Sequence, residues 1–426
     1  MAGERDIVIT GVGVVSPIGI GPDAFWESLR TGTSGIRPID LFDSSGLRTP
    51  YGGQIPDFDP KLYVRPRKSL KVMSRDIQLG FAAADLALAD AGIVAGRIEP
   101  DRFGVVVGAD MIYADIEDLE LTYRRSQRDG TFDFGLWSEA IHEELHPLWL
   151  LKHLPNMTAS HVAIAHDARG PNNSIVLGDV SSLLAIGEAV SVIRRGWADV
   201  MLTGGTGSRL HPTGIVARGE ASLTRAVDDC QRICRPFDRD RVGMLDGEGA
   251  ALFVIEARDH AERRGARIRG RILGAASRCE PHRPGAPRTG SAVRLVIEAA
   301  LAQSAIAGGP AAAELGHVNA HGGGSVEADR IEAAAIAALL GDAPVTAAKS
   351  FFGHLGAGGG AVELAASVLG LEHGLVPATL NYETPDPRCP VNVVHKAPLA
   401  GRPGTALALN VCSMGQAAAV VVAAEQ

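Results

Sequence analysis

The regular alternation of short apolar runs with longer alanine-rich stretches most restricts how this chain can fold. The short runs predict strands, and the longer stretches, with apolar residues three or four positions apart, predict helices. In the first half these segments are Ile7–Val15, Ile77–Ala91, Phe103–Val107 and Val200–Thr203. In the second half they are Ala250–Glu256, Ser291–Ala302, His317–Ala320, Arg330–Leu340, Ala361–Leu371, Thr405–Asn410 and Ala418–Ala424. Strands that are apolar at nearly every position are typical of sheets covered on both faces, so the sequence predicts a layered α/β architecture.

Composition and charge narrow the class of protein. The 426 residues are 46% hydrophobic and 21% charged, as in ordinary globular proteins, and the net charge of −8 argues against a general nucleic-acid partner. No apolar run approaches the length of about 18 residues that a membrane span needs, and no basic segment precedes an apolar one at the N-terminus. We therefore expect no membrane association and a cytoplasmic location.

The five cysteines are too few for a disulfide framework in a chain of this length. Cys230 and Cys234 are four positions apart, but no second cysteine or histidine pair at metal-ligand spacing accompanies them. We expect reduced, mostly structural thiols and no metal, with a zinc site at this pair as the less favoured alternative.

Glycine accounts for 51 residues and gathers at the ends of the predicted strands. Four clusters read TGVGVVS, LTGGTGS, NAHGGGS and GHLGAGGG, and we predict that they line one cleft, because glycine lets the backbone approach a ligand closely. The clearest loop is CEPHRPGAPRTG, at Cys279–Gly290. The chain is predicted to divide near residue 260 into an N-terminal half, residues 1–260, and a C-terminal half, residues 261–426, that share one interface.

The stretch Gly170–Gly205 contains a predicted elbow that lifts one side chain to the start of a helix. A strand-like run at Ser174–Leu177 meets the Gly178–Asp179 corner, and a helix with an apolar stripe follows. Enzymes commonly place a nucleophile at such a position, but here the residue is an aspartate. The helix N-terminus favours negative charge, so Asp179 should be ionised unless burial dominates. The alternative is an N-cap, in which Asp179 satisfies free amides of the helix.

Two histidine motifs in the second half are candidates to face the same cleft. His321 follows a short strand in NAHGGGSVEADRIE, and a histidine before a flexible loop suits a hydrogen-bond donor or a general acid or base. His354 follows Lys349 by five residues in AAKSFFGHLGAGGGAVE, and Lys349 has Glu363 or a neighbouring group as a candidate partner. Structural histidines and a solvated or capping lysine are the alternatives. Two such loops and an aspartate elbow together favour a shared site.

These motifs give the chain a family resemblance over nearly its whole length. VITGVGVVSPIG, NMTASHVAIAHDARGPN, CRPFDRDRVGMLDGEGAALFVIE, NAHGGGS and AAKSFFGHLGAGGGAVE together resemble the β-ketoacyl-acyl-carrier-protein synthases (ketosynthases), the condensing enzymes of fatty-acid and polyketide synthesis. The resemblance implies a thiolase-like α/β fold in which two similar αβαβα halves form a five-layered core. It also implies a homodimer or heterodimer and an acyl carrier protein as partner. It implies no tightly bound cofactor, because the phosphopantetheine thioester arrives on the carrier.

By this resemblance Asp179 occupies the position of the family's catalytic cysteine, which takes the acyl chain as a thioester. His321 and His354 match the two histidines that polarise the malonyl thioester and assist loss of carbon dioxide, and Lys349 matches the supporting lysine. A carboxylate is a poor nucleophile toward a thioester, and the anhydride it would form hydrolyses readily, so ordinary condensation is predicted to be lost. The negative charge should also raise the pKa of both histidines.

Two further departures from the family accompany the missing thiol. The usual HGTST reads HGGGS, so Gly323 replaces one hydroxyl that holds the pantetheine arm and Ser325 replaces the other. The usual glycine–phenylalanine gate reads NVCSMGQAA, which puts Met414 in the place of the gating aromatic. Cys412 lies in this loop and not at the elbow. Gly323, Ser325 and Met414 are therefore the predicted lining of the pantetheine channel and its gate.

Three functions are compatible with these departures. The first is a non-condensing partner subunit, similar to the chain-length factors that pair with a cysteine-bearing ketosynthase and that also lack the nucleophile. The second is a repurposed decarboxylase, acyltransferase, cyclase or hydrolase that acts on carrier-bound acyl thioesters through Asp179, His321 and His354. Retention of Lys349 and both histidines fits this second function. The third is a carrier-binding scaffold without chemistry in its pocket.

Two basic clusters are candidate docking sites for an acidic carrier protein. They contain Arg65, Arg67, Lys68, Lys71 and Arg75 in VRPRKSLKVMSR, and Arg124, Arg125 and Arg128 in RRSQR. Such a patch would steer docking and weaken with salt, and a solvated surface is the alternative. The segments IYADIEDLELTYRR and LWSEAIHEELHPLWLLKHLP mix acidic with large apolar residues, and the resemblance implies partner contact near them.

Overall fold

The computed structural model describes residues 5–94, 96–218, 229–281, 288–309, 314–401 and 404–425, so the middle of the predicted loop Cys279–Gly290 lies outside the described residues. The strands are β1 Ile7–Ser16, β2 Gly19–Ile20, β3 Arg37–Pro38, β4 Tyr51–Gly52, β5 Phe103–Gly108, β6 Gln127–Arg128, β7 Thr131–Phe132, β8 Asn172–Ile175, β9 Val200–Ser208, β10 Glu248–Ala257, β11 Gly270–Cys279, β12 His317–Asn319, β13 Pro344–Thr346, β14 Leu375–Val376, β15 Asn392–Val393, β16 Leu399–Ala400, β17 Thr405–Val411 and β18 Gln416–Ala423. The α-helices are α1 Pro22–Thr31, α2 Arg75–Asp90, α3 Ile116–Arg125, α4 Phe134–Glu144, α5 Met157–His166, α6 Ser181–Arg194, α7 Pro212–Arg218, α8 Arg258–Arg263, α9 Ser291–Ile306, α10 Val326–Leu340, α11 Lys349–Phe352 and α12 Gly359–Glu372.

The two halves of the chain share one strand topology. In the first half the order is β1-β10-β9-β5-β8, with two antiparallel pairings followed by two parallel ones. In the second half the order β11-β18-β17-β12-β13 repeats the same sequence of pairings. A short antiparallel contact between β1 and β11 joins the two sets. The repetition is therefore visible in topology although it is weak in sequence, and the boundary near residue 260 stays a prediction.

Helices α6 and α12 form the middle layer of the molecule. Both contact strands of the first half, β9 and β10, and strands of the second half, and they also contact each other. The outer layers are α2 with α5 on the first half and α9 with α10 on the second. Helix α12 is buried from Gly359 to Gly370, as expected for a helix covered on both sides. This is the predicted five-layered arrangement of two αβαβα halves.

Glycine in β9 allows this strand to touch the middle layer backbone to backbone. A Cβ atom on Gly205 or Gly207 would lie 2.6 or 2.3 Å from carbonyl oxygens of the turn that precedes α12. The first glycine cluster serves a different contact, because Cβ atoms on Gly11 and Gly13 would lie 2.2 and 2.0 Å from carbonyl oxygens of α2. The prediction that all four clusters line one cleft was therefore wrong for the first cluster, which packs against an outer helix.

The surface carries one apolar region on α3, α4 and the segment that follows. Phe134 is 81% exposed, and Leu121 and Tyr123 are about half exposed. Tyr123, Phe132 and Trp137 are in ring contact with one another, so these aromatics form a local cluster at the base of α4. Within the described ranges, no helix combines the length and apolar character that crossing a bilayer requires.

Candidate active site

The predicted elbow is present between β8 and α6. Gly178, with a φ of 59°, opens a 3-10 turn over Gly178–Val180 that leads directly into the helix. The strand ends at Ile175, two residues earlier than the sequence indicated. The Ser181 hydroxyl closes the turn by donating to the Gly178 carbonyl at 2.6 Å and accepting from the Leu177 amide at 2.8 Å. The N-cap alternative for Asp179 is not supported, because α6 has no side-chain cap hydrogen bond.

The structure brings the elbow and both histidine loops together. One donor or acceptor atom from each of Asp179, His321 and His354 lies within 4.8 Å of the other two. His354 Nε2 is 3.6 Å from Asp179 Oδ1, and the two imidazole rings lie edge to face with centroids 5.4 Å apart. Lys349 Nζ is 3.3 Å from His321 Nδ1. All four predicted site residues are thus neighbours in a buried cluster, and their catalytic roles stay predictions.

Arg209 is a site residue that the sequence reasoning missed. It follows β9 directly, and its Nη2 lies 3.4 Å from Asp179 Oδ1 while its Nη1 lies 3.6 Å from Asp246 Oδ1. Its Nε is buried without a hydrogen-bond partner among the described residues. The only signal in the sequence is that an arginine directly follows LTGGTGS, a glycine cluster predicted to face the cleft.

Hydrogen bonds fix the tautomer of both histidines. The Gly356 amide donates to His354 Nδ1 at 3.2 Å, and the Lys349 ammonium donates to His321 Nδ1 at 3.3 Å. Since each Nδ1 accepts, the single proton of each neutral ring lies on Nε2. Lys349 also forms an ion pair with Glu363. The site therefore has two Nε2–H donors, and that of His354 lies 3.6 Å from the carboxylate of Asp179.

The expectation that Asp179 raises the pKa of both histidines was wrong. Burial lowers the pKa of His321 and of His354 well below the usual range, and the positive charges of Arg209 and Lys349 lower it further. Burial also raises the pKa of Asp179, against the opposing effect of Arg209. Desolvation outweighs both the helix N-terminus and the attraction between Asp179 and the imidazoles. Both histidines are neutral donors at neutral pH.

The spacing of Asp179, His321 and His354 resembles a metal-ligand set, but the surroundings oppose a metal ion. A histidine that binds a metal through Nε2 normally carries its proton on Nδ1 and donates it to an acceptor. Here both Nδ1 atoms face N–H donors instead. The nearby cations Arg209 and Lys349 would also repel a divalent ion. The residues fit a metal poorly, and the absence of a metal centre stays a prediction.

Of the predicted channel residues, Gly323 lies beside this cluster. A Cβ atom on Gly323 would lie 3.2 Å from Met244 Sδ and 3.6 Å from His321 Nε2, so Gly323 lies close to that donor and Met244 packs against it. The Ser325 hydroxyl caps α10, accepting from the Ala328 amide at 3.5 Å. Met414 is 55% exposed at the turn between β17 and β18. Contact of these residues with a pantetheine arm stays a prediction.

The two cysteines considered for zinc are poor ligands. Both are free thiols. Burial raises the pKa of Cys234 to about 12 and also raises that of Cys230, whereas metal ligation requires the thiolate. The structural role remains the favoured one.

The duplicated topology, with both central helices starting at one buried elbow and histidine cluster, is that of thiolase-like proteins. Within this class, the chain belongs to the β-ketoacyl synthase family. The N-terminal domain of that family matches residues 4–261, and its C-terminal domain matches residues 269–383. The predicted family and fold are confirmed.

Several curated relatives are similar over most of their length. The tetracenomycin polyketide synthase ketoacyl synthase alpha subunit of Streptomyces glaucescens is 34% identical, over 99% of this chain and 97% of that protein. The actinorhodin polyketide putative β-ketoacyl synthase 1 of Streptomyces coelicolor is 37% identical, over 92% of this chain and 82% of that protein. The chain is thus a ketosynthase-like member of the polyketide synthase family.

Two solved structures share the fold over essentially the whole chain. The ishigamide ketosynthase/chain length factor has a TM-score of 0.86 at 28% identity, and all of both chains is covered. A type II polyketide synthase ketosynthase, AntDE, solved with its acyl-carrier protein AntF, has a TM-score of 0.84 at 27% identity, over 99% of this chain and 100% of that one.

Proposed function

We propose that this chain is a non-condensing ketosynthase homologue that acts as a chain-length-factor-like partner subunit. It would work beside a cysteine-bearing ketosynthase on acyl groups delivered by a carrier protein. The observation that carries this proposal is the buried Asp179 carboxylate at the elbow, held by Arg209 at 3.4 Å. A carboxylate paired with a guanidinium is a poor nucleophile toward a thioester, and the anhydride that it would form is lost to hydrolysis before it could be elongated.

The apolar surface on α3 and α4 supports a partner subunit. Phe134, Leu121 and Tyr123 are 81%, 58% and 49% exposed in the single chain. Clustered aromatic residues are typical of the buried centre of protein interfaces. A cysteine-bearing ketosynthase seated on this face would bury them. One of the similar solved structures is itself named as a ketosynthase and chain length factor.

The first basic cluster supports docking of an acidic carrier protein. Arg67, Lys68 and Lys71 are exposed on a 3-10 helix, and no ion pair engages them within the described chain. The second cluster differs, because its charges are already paired internally: Arg124 with Glu120, Arg125 with Glu143 and Glu144, and Arg128 with Asp133. Arg75 of the first cluster is paired with Glu248, so the uncompensated positive charge that this cluster offers to a partner comes from Arg67, Lys68 and Lys71.

Malonyl-thioester decarboxylation is a second candidate, favoured by the two Nε2–H donors. Loss of carbon dioxide from a malonyl thioester leaves an enolate, whose oxygen could accept hydrogen bonds from His321 and His354. The enolate carbon then takes a proton from water to give the acetyl thioester. Because both donors are neutral, they would stabilise the enolate without protonating its oxygen in advance.

The test compares the purified chain alone with the chain mixed with a cysteine-bearing ketosynthase. Each sample receives malonyl-loaded and hexanoyl-loaded carrier protein, and products are followed by mass spectrometry. We expect no elongated product from the chain alone and elongation from the mixture, with a product length that changes when the chain is omitted. Elongation by the chain alone would overturn the proposal.

Release of carbon dioxide by the chain alone would favour the second candidate. That release must disappear in His321→Gln and persist in His142→Gln, an exposed histidine on α4 that serves as the matched control. If the chain alone released no carbon dioxide, the decarboxylase would be excluded and the partner-subunit proposal would stand by itself.

A further inference from the structure

The polar atoms around the elbow carboxylate are arranged to contact one shared atom. One donor or acceptor atom from each of Asp179, His321 and His354 lies within 4.8 Å of the other two. Three points this close together all fall within about 2.8 Å of a common centre, which is the length of a hydrogen bond to oxygen. Direct pairing is weak by comparison, because His354 Nε2 and Asp179 Oδ1 are 3.6 Å apart. The cluster therefore suits a small ligand that places one oxygen atom between the three side chains.

Hydrogen bonding and charge select the kind of oxygen that fits. The Nε2–H of His354 is a buried donor with no acceptor within the described chain, and the Asp179 carboxylate is an acceptor whose contact with Arg209 is a long 3.4 Å. A donor and an acceptor side by side match water, which donates one hydrogen bond while it accepts another. The guanidinium of Arg209 and the ammonium of Lys349 oppose a metal ion at the same place.

A cavity of water size adjoins the cluster. Its volume is about 10 Å³, and it is bounded by His354 and Lys349 together with Gly322, Gly323 and Gly353. One water molecule needs roughly 10–15 Å³ of such space. Because Gly323 is also a predicted residue of the pantetheine channel, this space lies where water and a thioester could meet.

The elbow carboxylate has the properties of a base. Burial raises the pKa of Asp179, so its ionised form binds a proton more strongly than an exposed aspartate does. The charges of Arg209 and Lys349 oppose that rise, which keeps the ionised form available. A base whose pKa lies closer to neutral pH is more effective in taking a proton from water.

We propose that Asp179 is a general base that activates water to hydrolyse a carrier-bound acyl thioester. The Asp179 carboxylate takes one proton from the water, while the water oxygen, oriented by the Nε2–H of His354, attacks the thioester carbonyl carbon. The Nε2–H of His321 donates to the oxyanion. The bond from carbon to the pantetheine sulfur then breaks, and that sulfur takes the proton from Asp179. The products are a free carboxylic acid and the carrier thiol.

The experiment incubates the full purified chain with hexanoyl-loaded carrier protein in water enriched in oxygen-18. We expect free hexanoic acid that carries one oxygen-18 atom, one carrier thiol for each acid released, and no acyl group on the chain by intact-protein mass spectrometry. Asp179→Asn should lower the rate of release on the order of a hundredfold, as expected for loss of a general base. Asp342→Asn, on an exposed turn, is the matched control and should keep the wild-type rate.

Absence of hexanoic acid with the wild-type chain, or an unchanged rate in Asp179→Asn, would overturn the proposal. An acyl adduct on the chain, or oxygen-18 in the peptide that contains Asp179, would also overturn it, because either result indicates a covalent intermediate. The wild-type measurements decide the question even if Asp179→Asn does not fold. The proposal rests on the proposed function only in its class of substrate. Absence of hydrolysis leaves the partner-subunit role intact, since elongation by the mixture tests that role separately.

Discussion

The guanidinium of Arg209 lies 3.4 Å from the carboxylate of Asp179 and 3.6 Å from that of Asp246, so the elbow residue is part of a buried charge cluster. Burial raises the pKa of Asp179, and Arg209 opposes that rise. The elbow carboxylate therefore depends on a neighbouring cation for its ionised form, and pH should report on this dependence.

Asp179→Asn is expected to become more stable relative to the wild type as pH rises. In the wild type, the folded-state pKa of Asp179 is raised above its unfolded value, so the folded protein holds the proton over a pH window in which the unfolded chain has lost it. The unfolding free energy of the wild type therefore falls as pH rises upward from about 4, and that of the variant does not. Urea unfolding at pH 4 to 7 measures the difference. Asp342→Asn, on an exposed turn, is the control, and a difference independent of pH would refute the prediction.

Acid should destabilise the protein through its buried histidines. Burial lowers the pKa of His321 and His354 well below 6.5 and that of His317 to about 4. Below about pH 6.5 these histidines bind protons in the unfolded chain but stay neutral in the folded protein. The unfolding free energy therefore falls as pH is lowered, by up to about 1.4 kcal/mol per pH unit for each histidine. His354→Gln should show a shallower decline between pH 6.5 and 5. An unchanged slope in that variant, with His142→Gln as the reference, would contradict the assignment.

Removal of one partner from the Lys349–Glu363 ion pair should cost more than removal of both. Lys349→Met leaves a buried carboxylate with Asn410 as its remaining donor, and we expect a loss of about 3–5 kcal/mol in unfolding free energy. Adding Glu363→Gln should recover part of that loss, because the uncompensated charge is then gone. Denaturant unfolding of the two single variants and the double variant gives the coupling. Additive losses would show that the two residues do not interact.

The two basic clusters should differ in carrier binding. Replacing Arg67 and Lys68 with alanine should weaken binding of the acidic carrier, and the effect should shrink as salt is raised toward about 0.5 M. Replacing Arg124 and Arg125 with alanine is the matched control, since those side chains already pair with acidic residues of the same region. Binding isotherms at two ionic strengths provide the comparison. Equal losses from both double variants would remove the first cluster as the docking site.

Strands and helices that are covered on both faces were predicted well from the sequence, and more exposed elements were predicted less well. The predicted strand Ile7–Val15 and the helix Ala361–Leu371 correspond to β1 and α12, because continuous burial leaves a continuous apolar signal. Strand β11, Gly270–Cys279, was not assigned. It mixes arginine and serine with small residues, and its last three residues are exposed. Its hydrogen-bonded partner strands, β1 and β18, come from the two halves of the chain, so no pattern in the neighbouring sequence indicates this strand.

The site was predictable as far as its motifs reach. His321, His354 and Lys349 stand in glycine-rich segments that mark them in the sequence. Arg209 joins the site only through tertiary contact. The predicted direction of the histidine pKa shift was also wrong. That direction depends on how deeply the histidines are buried, which the charges along the sequence do not reveal.

The turns that precede α6 and α12 meet one another at the centre of the molecule. The elbow turn is closed by Ser181, and the second turn sits against glycines of β9, so neither relies on the side chain at position 179 for its shape. Evolution could thus exchange sulfur for a carboxylate at this one point while leaving the surrounding framework untouched. A substitution at position 179 alone can therefore alter the chemistry of the site while the fold stays the same.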